Sequence, residues 1–128
     1  MVYLDSSVVL AYLLAEDRCP PDSLWKENLI SSRLLEYEVW NRIHVYHSAA
    51  ERDEDARKLF REIQLIEMTP TVLSRTLRAF PVPIRTLDSL HLATIQHLRE
   101  QDQEIALASF DMRLLRAACA LDIPLYEF

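Results

Sequence analysis

Two acidic positions in this chain sit where apolar runs stop. Asp5 directly follows the apolar stretch 1–4, and Asp111 follows the stretch 105–109 after one further residue. Asp88 falls in the first turn of a helical segment that begins near Thr86. A fourth acid must come from Leu34-Leu35-Glu36-Tyr37-Glu38-Val39-Trp40-Asn41, where Glu36 and Glu38 both qualify. Carboxylates gathered around one cavity repel each other and raise one another's pKa unless a cation lies between them. Mg²⁺ and Mn²⁺ are the matching ions, because they take hard oxygen ligands and keep waters for a substrate phosphate. Hydrolysis of a phosphodiester at such a place needs carboxylates and a divalent ion, with no Cys or Ser nucleophile.

Each acid also has a plainer role. Aspartate favours helix caps and first turns, where it meets backbone amides and the positive end of the helix dipole. Glu38 can pair with Arg42 one helical turn on, for a few tenths of a kcal/mol. Glu36 can be a solvated surface carboxylate. Glu38 shares a face with Leu34, Asn41 and Val45, whereas Glu36 lines up with Trp40, Ile43 and His47, so the helical period alone does not choose between them.

The elements that must carry these acids read as strands alternating with helices. Short apolar runs at 1–4, 29–31, 65–68, 105–109 and 123–126 have strand length, and none alternates apolar with polar residues. Helical spacing marks 6–14 with Ser6 as cap, a short turn at 23–28, and 33–50 with Leu35, Val39, Ile43 and Tyr46 inward. It continues at 51–64 with Ala56, Leu59, Phe60 and Ile63 on one face, and after Pro70 at its favoured first-turn position. The last helices are 86–99, with Leu87, Leu90, Ala93 and Leu98 inward, and 111–121. Unbroken apolar strands alternating with helices predict an α/β fold with a mostly parallel sheet covered on both faces. Sites in such sheets lie at the carboxyl ends of the strands, which is where Asp5 and Asp111 leave theirs.

Composition narrows the chemistry further. The chain has 128 residues, enough for one domain with a sizeable core, and contains no glycine. Both the dinucleotide fingerprint and the phosphate-binding loop of nucleotide hydrolases need glycine, so both are excluded. The net charge of −6 speaks against broad attraction to nucleic acid or an acidic membrane, although metal bound among carboxylates relieves it locally. The 14 basic residues are all arginine except Lys26 and Lys58. Arginine suits bidentate phosphate contact and surface ion pairs equally well. Cys19 and Cys119 suggest no disulfide framework, and His44 with His47 makes a poor zinc site without a cysteine nearby. With no leader-like start and no apolar stretch of spanning length, the expected location is the cytoplasm, away from membranes.

Taken in order, the motifs point to a family. They are Tyr3-Leu4-Asp5-Ser6-Ser7, then Ser32-Arg33-Leu34-(x)3-Glu38, then Arg85-Thr86-Leu87-Asp88-Ser89-Leu90-His91-Leu92-Ala93, then Ser109-Phe110-Asp111 followed by Leu114 and Ala117-Ala118. In this order and spacing the chain resembles PIN-domain nucleases, and in size the VapC-type toxins of bacterial and archaeal toxin–antitoxin pairs. The resemblance covers nearly the whole chain and implies one three-layer PIN-like domain over residues 1–128. It implies that Asp5, Glu38, Asp88 and Asp111 form an acidic site for Mg²⁺ or Mn²⁺, and so prefers Glu38 over Glu36. It implies that Ser7 and Ser109 hold these carboxylates or a water. It further implies RNA as substrate (tRNA or rRNA), a cognate antitoxin protein as partner and a homodimer. Three departures stand out: Asn41 where many members carry Arg, Ser109 for the commoner Thr, and Asp122 near a place where relatives often have Gly.

Other residues have two readings each. His91 suits a general base, but among Leu90 and Leu92 it is expected to pack in the core or bond to backbone. Arg85 and Arg113 flank the acids and can meet RNA phosphate or pair with the carboxylates. Trp25, Tyr37, Trp40 and Tyr46 can stack on bases, but at helical spacing they are expected in core or interface. The charges over residues 51–61 fit a solvated helix face. Rival classes are a catalytically weak PIN-like module that only binds RNA or protein, a free-standing RNA-processing nuclease, and a phosphoacceptor receiver domain. The receiver lacks a lysine after a late strand, and a DxD phosphatase fails because position 7 is Ser.

Overall fold

Strand β1 (Val2–Leu4) is buried along its whole length, and its residues alternate between two cores. Val2 and Leu4 join one apolar cluster while Tyr3 joins the other, as the two-residue period of a strand requires. In this computed structural model, which describes residues 1–46 and 50–128 (the side chains of 50 and 51 excepted), β1 lies inside a four-stranded sheet. The partners are β2 (Leu29–Ser32), β3 (Ile63–Ile66) and β4 (Ala106–Ala108), in the order β3-β2-β1-β4, with every pairing parallel.

Among the described residues six α-helices flank the sheet: α1 (Ser6–Leu13), α2 (Leu34–Tyr46), α3 (Ala50–Arg61), α4 (Pro70–Leu73), α5 (Thr86–Glu100) and α6 (Met112–Ala120). Val8 and Val9 of α1, Leu35, Val39 and Ile43 of α2 and Ala56 of α3 pack in the cluster of Val2 and Leu4. Leu92 and Ile95 of α5 and Leu114 and Ala117 of α6 pack in the cluster of Tyr3 and Leu107. The result is a three-layer α/β arrangement with the sheet in the middle. Burying each large side chain contributes about 1.5–3 kcal/mol, so two clusters of this size hold both outer layers in place. None of the helices among the described residues is long and apolar enough to cross a membrane.

The chain walks outward from β1 to β2 and β3, then returns to the other side of β1 as β4. That reversal leaves a crevice beyond the carboxyl ends of β1 and β4. Asp5 and Asp111 begin the connections that open there. The N–H of Asp5 also donates to the Ala108 carbonyl at 3.1 Å, joining the two exits.

Several expected boundaries shift. The third strand begins at Ile63, so the preceding helix ends at Arg61; Ile63 fits both periods, and pairing with Leu29 decides. Residues 123–126 form only an isolated bridge, Leu107 to Leu125, because Pro124 has no N–H to extend a ladder. The cap of α1 is Asp5 rather than Ser6. Leu87 is half exposed instead of inward, and lines the cleft that holds Asp88. Tyr37 and Tyr46 are exposed, whereas Trp25 and Trp40 pack against the first cluster. The expected helix over 33–50 is helical to Tyr46; His47, with its pairing to His44, lies outside the described residues.

Three helices end without glycine in the left-handed position that usually demands it. Ala15, Asp102 and Asp122 have φ of 48°, 60° and 56°. The amides one residue on bond back to Ala11, Leu98 and Ala118, closing the same terminal loop each time. Aspartate tolerates this region; alanine does so at a cost.

Candidate active site

Asp5 is almost wholly buried at the end of β1, and a single carboxylate oxygen accepts all its side-chain hydrogen bonds among the described residues. The hydroxyls of Ser7 and Ser109 donate to Oδ2 at 2.7 and 2.8 Å, and the Ser7 amide donates at 3.4 Å. Ser7 and Ser109 are tied into the opposite strand exit as well. The Phe110 amide donates to Ser7 Oγ and the Asp111 amide to Ser109 Oγ, both at 2.9 Å. Two hydroxyls therefore hold the Asp5 carboxylate and fix where Asp111 begins.

Asp111 caps α6. Its Oδ1 accepts from the amides of Arg113 at 2.9 Å and Leu114 at 3.4 Å. Glu38 is held from a different layer: His91 Nε2 donates to its Oε1 at 2.5 Å. Asp88, in the first turn of α5, has no hydrogen bond or ion pair among the described residues. Its carboxyl sits above the usual carboxylate range, first because it is partly desolvated and then because Asp111 and Asp5 repel its charge; His91 and Arg85 offset part of this.

A common pattern follows. Asp5, Glu38 and Asp111 each have one oxygen engaged by the protein and leave Oδ1, Oε2 and Oδ2 without a partner among the described residues, and Asp88 leaves both oxygens so. All four side chains line one cleft of about 650 Å³. The donor set is entirely oxygen and anionic, the chemistry a hard divalent cation needs. Among the described residues no three of these groups close on one point as a finished cage, so the fold presents an open acidic cleft.

The other candidates separate cleanly. Glu36 turns away to Arg33, at 2.9 Å, and Arg33 also grips Glu67 at 2.6 Å. That double engagement holds the Arg33 guanidinium above its already high range and Glu67 below the usual one. Glu38 makes no pair with Arg42, which stacks over Tyr46 instead. His91 is buried as expected, but it bonds to side chains rather than backbone: Nδ1 lies 2.7 Å from the Tyr3 hydroxyl, which accepts the Ser32 amide. Arg85 and Arg113 are exposed and form no ion pair with the site acids among the described residues.

Tyr3 and Ser32 were outside the candidate set. The only sequence signal for them was their presence in the first and second motifs, since the contact that joins them to Glu38 runs between residues 53 and 88 positions apart.

A family model described as the PIN domain matches residues 2–119. The chain belongs to the PIN domain family. PIN domains are typically nucleases that use divalent metal ions, and the four-stranded parallel sheet flanked by helices agrees with that fold. No curated protein and no solved structure matches the chain at significance. Within this PIN domain the acidic cleft lies at the sheet reversal, where the matched segment brings together the exits of β1 and β4 and the start of α5.

Proposed function

We propose that this PIN domain is a metal-dependent endoribonuclease whose site is Asp5, Glu38, Asp88 and Asp111. The observation that carries the proposal is the arrangement of their oxygens: four acids line one cleft, each with at least one oxygen that no group among the described residues uses. These residues would hold Mg²⁺ or Mn²⁺, which when bound activates water and offsets charge on a phosphate under attack. The protein's own contribution is orientation. Ser7 and Ser109 aim Asp5, the cap geometry aims Asp111, and His91 aims Glu38. Arg85 lines this cleft and Arg113 the cavity beside it, where an RNA backbone would meet them. The finer role, a toxin restrained by a cognate antitoxin and acting as a homodimer in the cytoplasm, rests on the resemblance of the four motifs to VapC-type proteins.

The test is cleavage of a mixed tRNA and rRNA pool by purified, partner-free protein with Mg²⁺ or Mn²⁺, with EDTA, and with Asp5→Asn and Asp88→Asn. Discrete fragments that need metal and vanish in both variants support the reading. Fragments that persist in the variants, or protein that neither cuts RNA nor binds Mn²⁺, overturn it.

A further inference from the structure

Beside the acidic cleft lies a second cavity of about 520 Å³, walled by Val82, Pro83, Ile84, Arg85, Arg113 and Arg116, with Asp88 at its edge. Arg85 and Asp88 line both cavities, so the two spaces adjoin. The arginines come from two elements. Arg85 precedes α5 as its cap residue, while Arg113 and Arg116 lie three residues apart on the exposed face of α6, opposite the buried Leu114 and Ala117. Residues three apart on a helix are neighbours, about 5–6 Å between Cβ atoms.

These guanidinium groups are uncommitted. Elsewhere Arg33 and Arg57 pair with carboxylates, Arg18, Arg42 and Arg75 lie over aromatic rings, and Arg99 bonds a carbonyl. Arg52, Arg61 and Arg78, also without a side-chain partner among the described residues, share no cavity with another such arginine. Arg85, Arg113 and Arg116 have no ion pair, hydrogen bond or ring partner among the described residues. In a chain with 20 acidic residues and 14 basic ones, three converging arginines with a single carboxylate, Asp88, at the edge mark a place suited to an external anion. The wall between them is apolar: Val82 and Ile84 pack on the second core cluster and turn their remaining surface to the cavity. Guanidinium groups bind phosphate and offer planes on which an unstacked base can lie, and the aliphatic wall beside them gives that base an apolar neighbour.

We propose that this cavity is a nucleotide subsite for single-stranded RNA, taking the residue next to the scissile phosphate. Arg113 and Arg116 bind successive backbone phosphates, and the base lies against Ile84 and Val82. The subsite deepens the ribonuclease reading and rests on it. An acidic peptide would match the charge, whereas a phosphodiester chain also accounts for the place of this cavity beside the carboxylate cleft.

The test is binding of a fluorescein-labelled single-stranded RNA of mixed sequence to the metal-free protein in EDTA, followed by anisotropy across a KCl series. Arg113→Ala/Arg116→Ala is compared with Lys58→Ala/Arg61→Ala, which removes the same charge from α3. Loss of two phosphate contacts lowers the slope of log K against log salt by about 1.4 in the first variant. The α3 variant keeps the wild-type slope. Ile84→Ala should weaken binding of this RNA several-fold and leave binding of an abasic ribose-phosphate oligomer unchanged. Equal slopes in the two double variants, or equal loss on both oligomers, overturn the subsite while leaving the nuclease intact. Unchanged RNA slopes with weakened binding of a polyglutamate peptide would assign the arginines to an acidic partner and overturn it too. A wild-type protein that binds neither oligomer and cuts no RNA would remove the nuclease reading together with the subsite.

Discussion

His91 Nε2 lies 2.5 Å from Glu38 Oε1, and the same ring places Nδ1 2.7 Å from the Tyr3 hydroxyl. A carboxylate only accepts, so Nε2 carries the proton. Burial opposes a charge on this ring, but Tyr3, Glu38 and Asp5 outweigh it and hold the imidazole well above its ordinary range. The ring is fully buried and Glu38 mostly so, which leaves the carboxylate little freedom to rotate. The chain Ser32, Tyr3, His91, Glu38 therefore runs from the end of β2 through the sheet and α5 to α2.

His91→Ala should lower Mn²⁺ affinity by about 10–100-fold, the effect of losing a group that orients a ligand. It should also cost about 1–3 kcal/mol of stability, because the Tyr3 hydroxyl loses a buried partner. Tyr3→Phe should reproduce part of the stability loss with a smaller change in affinity, since the ring still reaches Glu38. Calorimetric Mn²⁺ titration together with thermal melts separates the two; unchanged affinity in His91→Ala would show that Glu38 needs no such support.

Asp88→Asn should raise the melting temperature of the metal-free protein at neutral pH while lowering cleavage by about 100-fold or more. The Asp88 carboxyl is held above its ordinary range in the fold. The native state therefore binds its proton more tightly than the unfolded chain does. Its contribution is fullest below the unfolded pKa and is lost as pH rises through the folded one. Melts in EDTA at neutral and mildly acidic pH should show wild type and variant converging on the acid side. A constant gap at both pH values would locate the effect elsewhere.

Much of the frame was legible in residue order. Apolar runs without alternation gave a parallel sheet, and Asp5 and Asp111 at the ends of two of them gave the crevice. What stayed hidden depends on contacts between distant residues. Helical period left Glu36 and Glu38 equivalent; Arg33 separates them because Glu67, past the end of β3, helps hold it beside Glu36. The bonds of His91 were equally hidden, since its partners come from β1 and α2. Ile63 satisfied helix and strand alike until β2 was beside it. Position 122 showed its turn through the missing glycine, but Ala15 carried no such signal.

Ala15→Gly should stabilise the protein. Alanine at φ 48° crowds its Cβ against the following carbonyl, at a cost of about 1–2 kcal/mol. Glycine removes that cost and returns some of it as greater freedom of the unfolded chain. A net gain of about 1 kcal/mol corresponds to about 3–5 °C in melting temperature for a domain of this size. Asp122→Gly should gain less, because aspartate already tolerates the left-handed region. Equal shifts in the two variants would mean that Cβ crowding is not what separates them.

Ser109 holds the two strand exits together, and its hydroxyl is what matters. It donates to Asp5 Oδ2 and accepts the Asp111 amide, within a buried setting where neither bond is readily replaced by water. Ser109→Ala leaves the Asp111 amide unpartnered and Asp5 dependent on Ser7 alone, so stability should fall by about 1–3 kcal/mol. Mn²⁺ affinity should fall by about 10–100-fold, since Asp5 loses one of the two hydroxyls that aim it. Ser109→Thr keeps the hydroxyl and should retain both properties to within a few-fold. Metal titrations and melts on the pair decide the matter: if Thr is as impaired as Ala, the methyl group rather than the hydrogen bond governs this position.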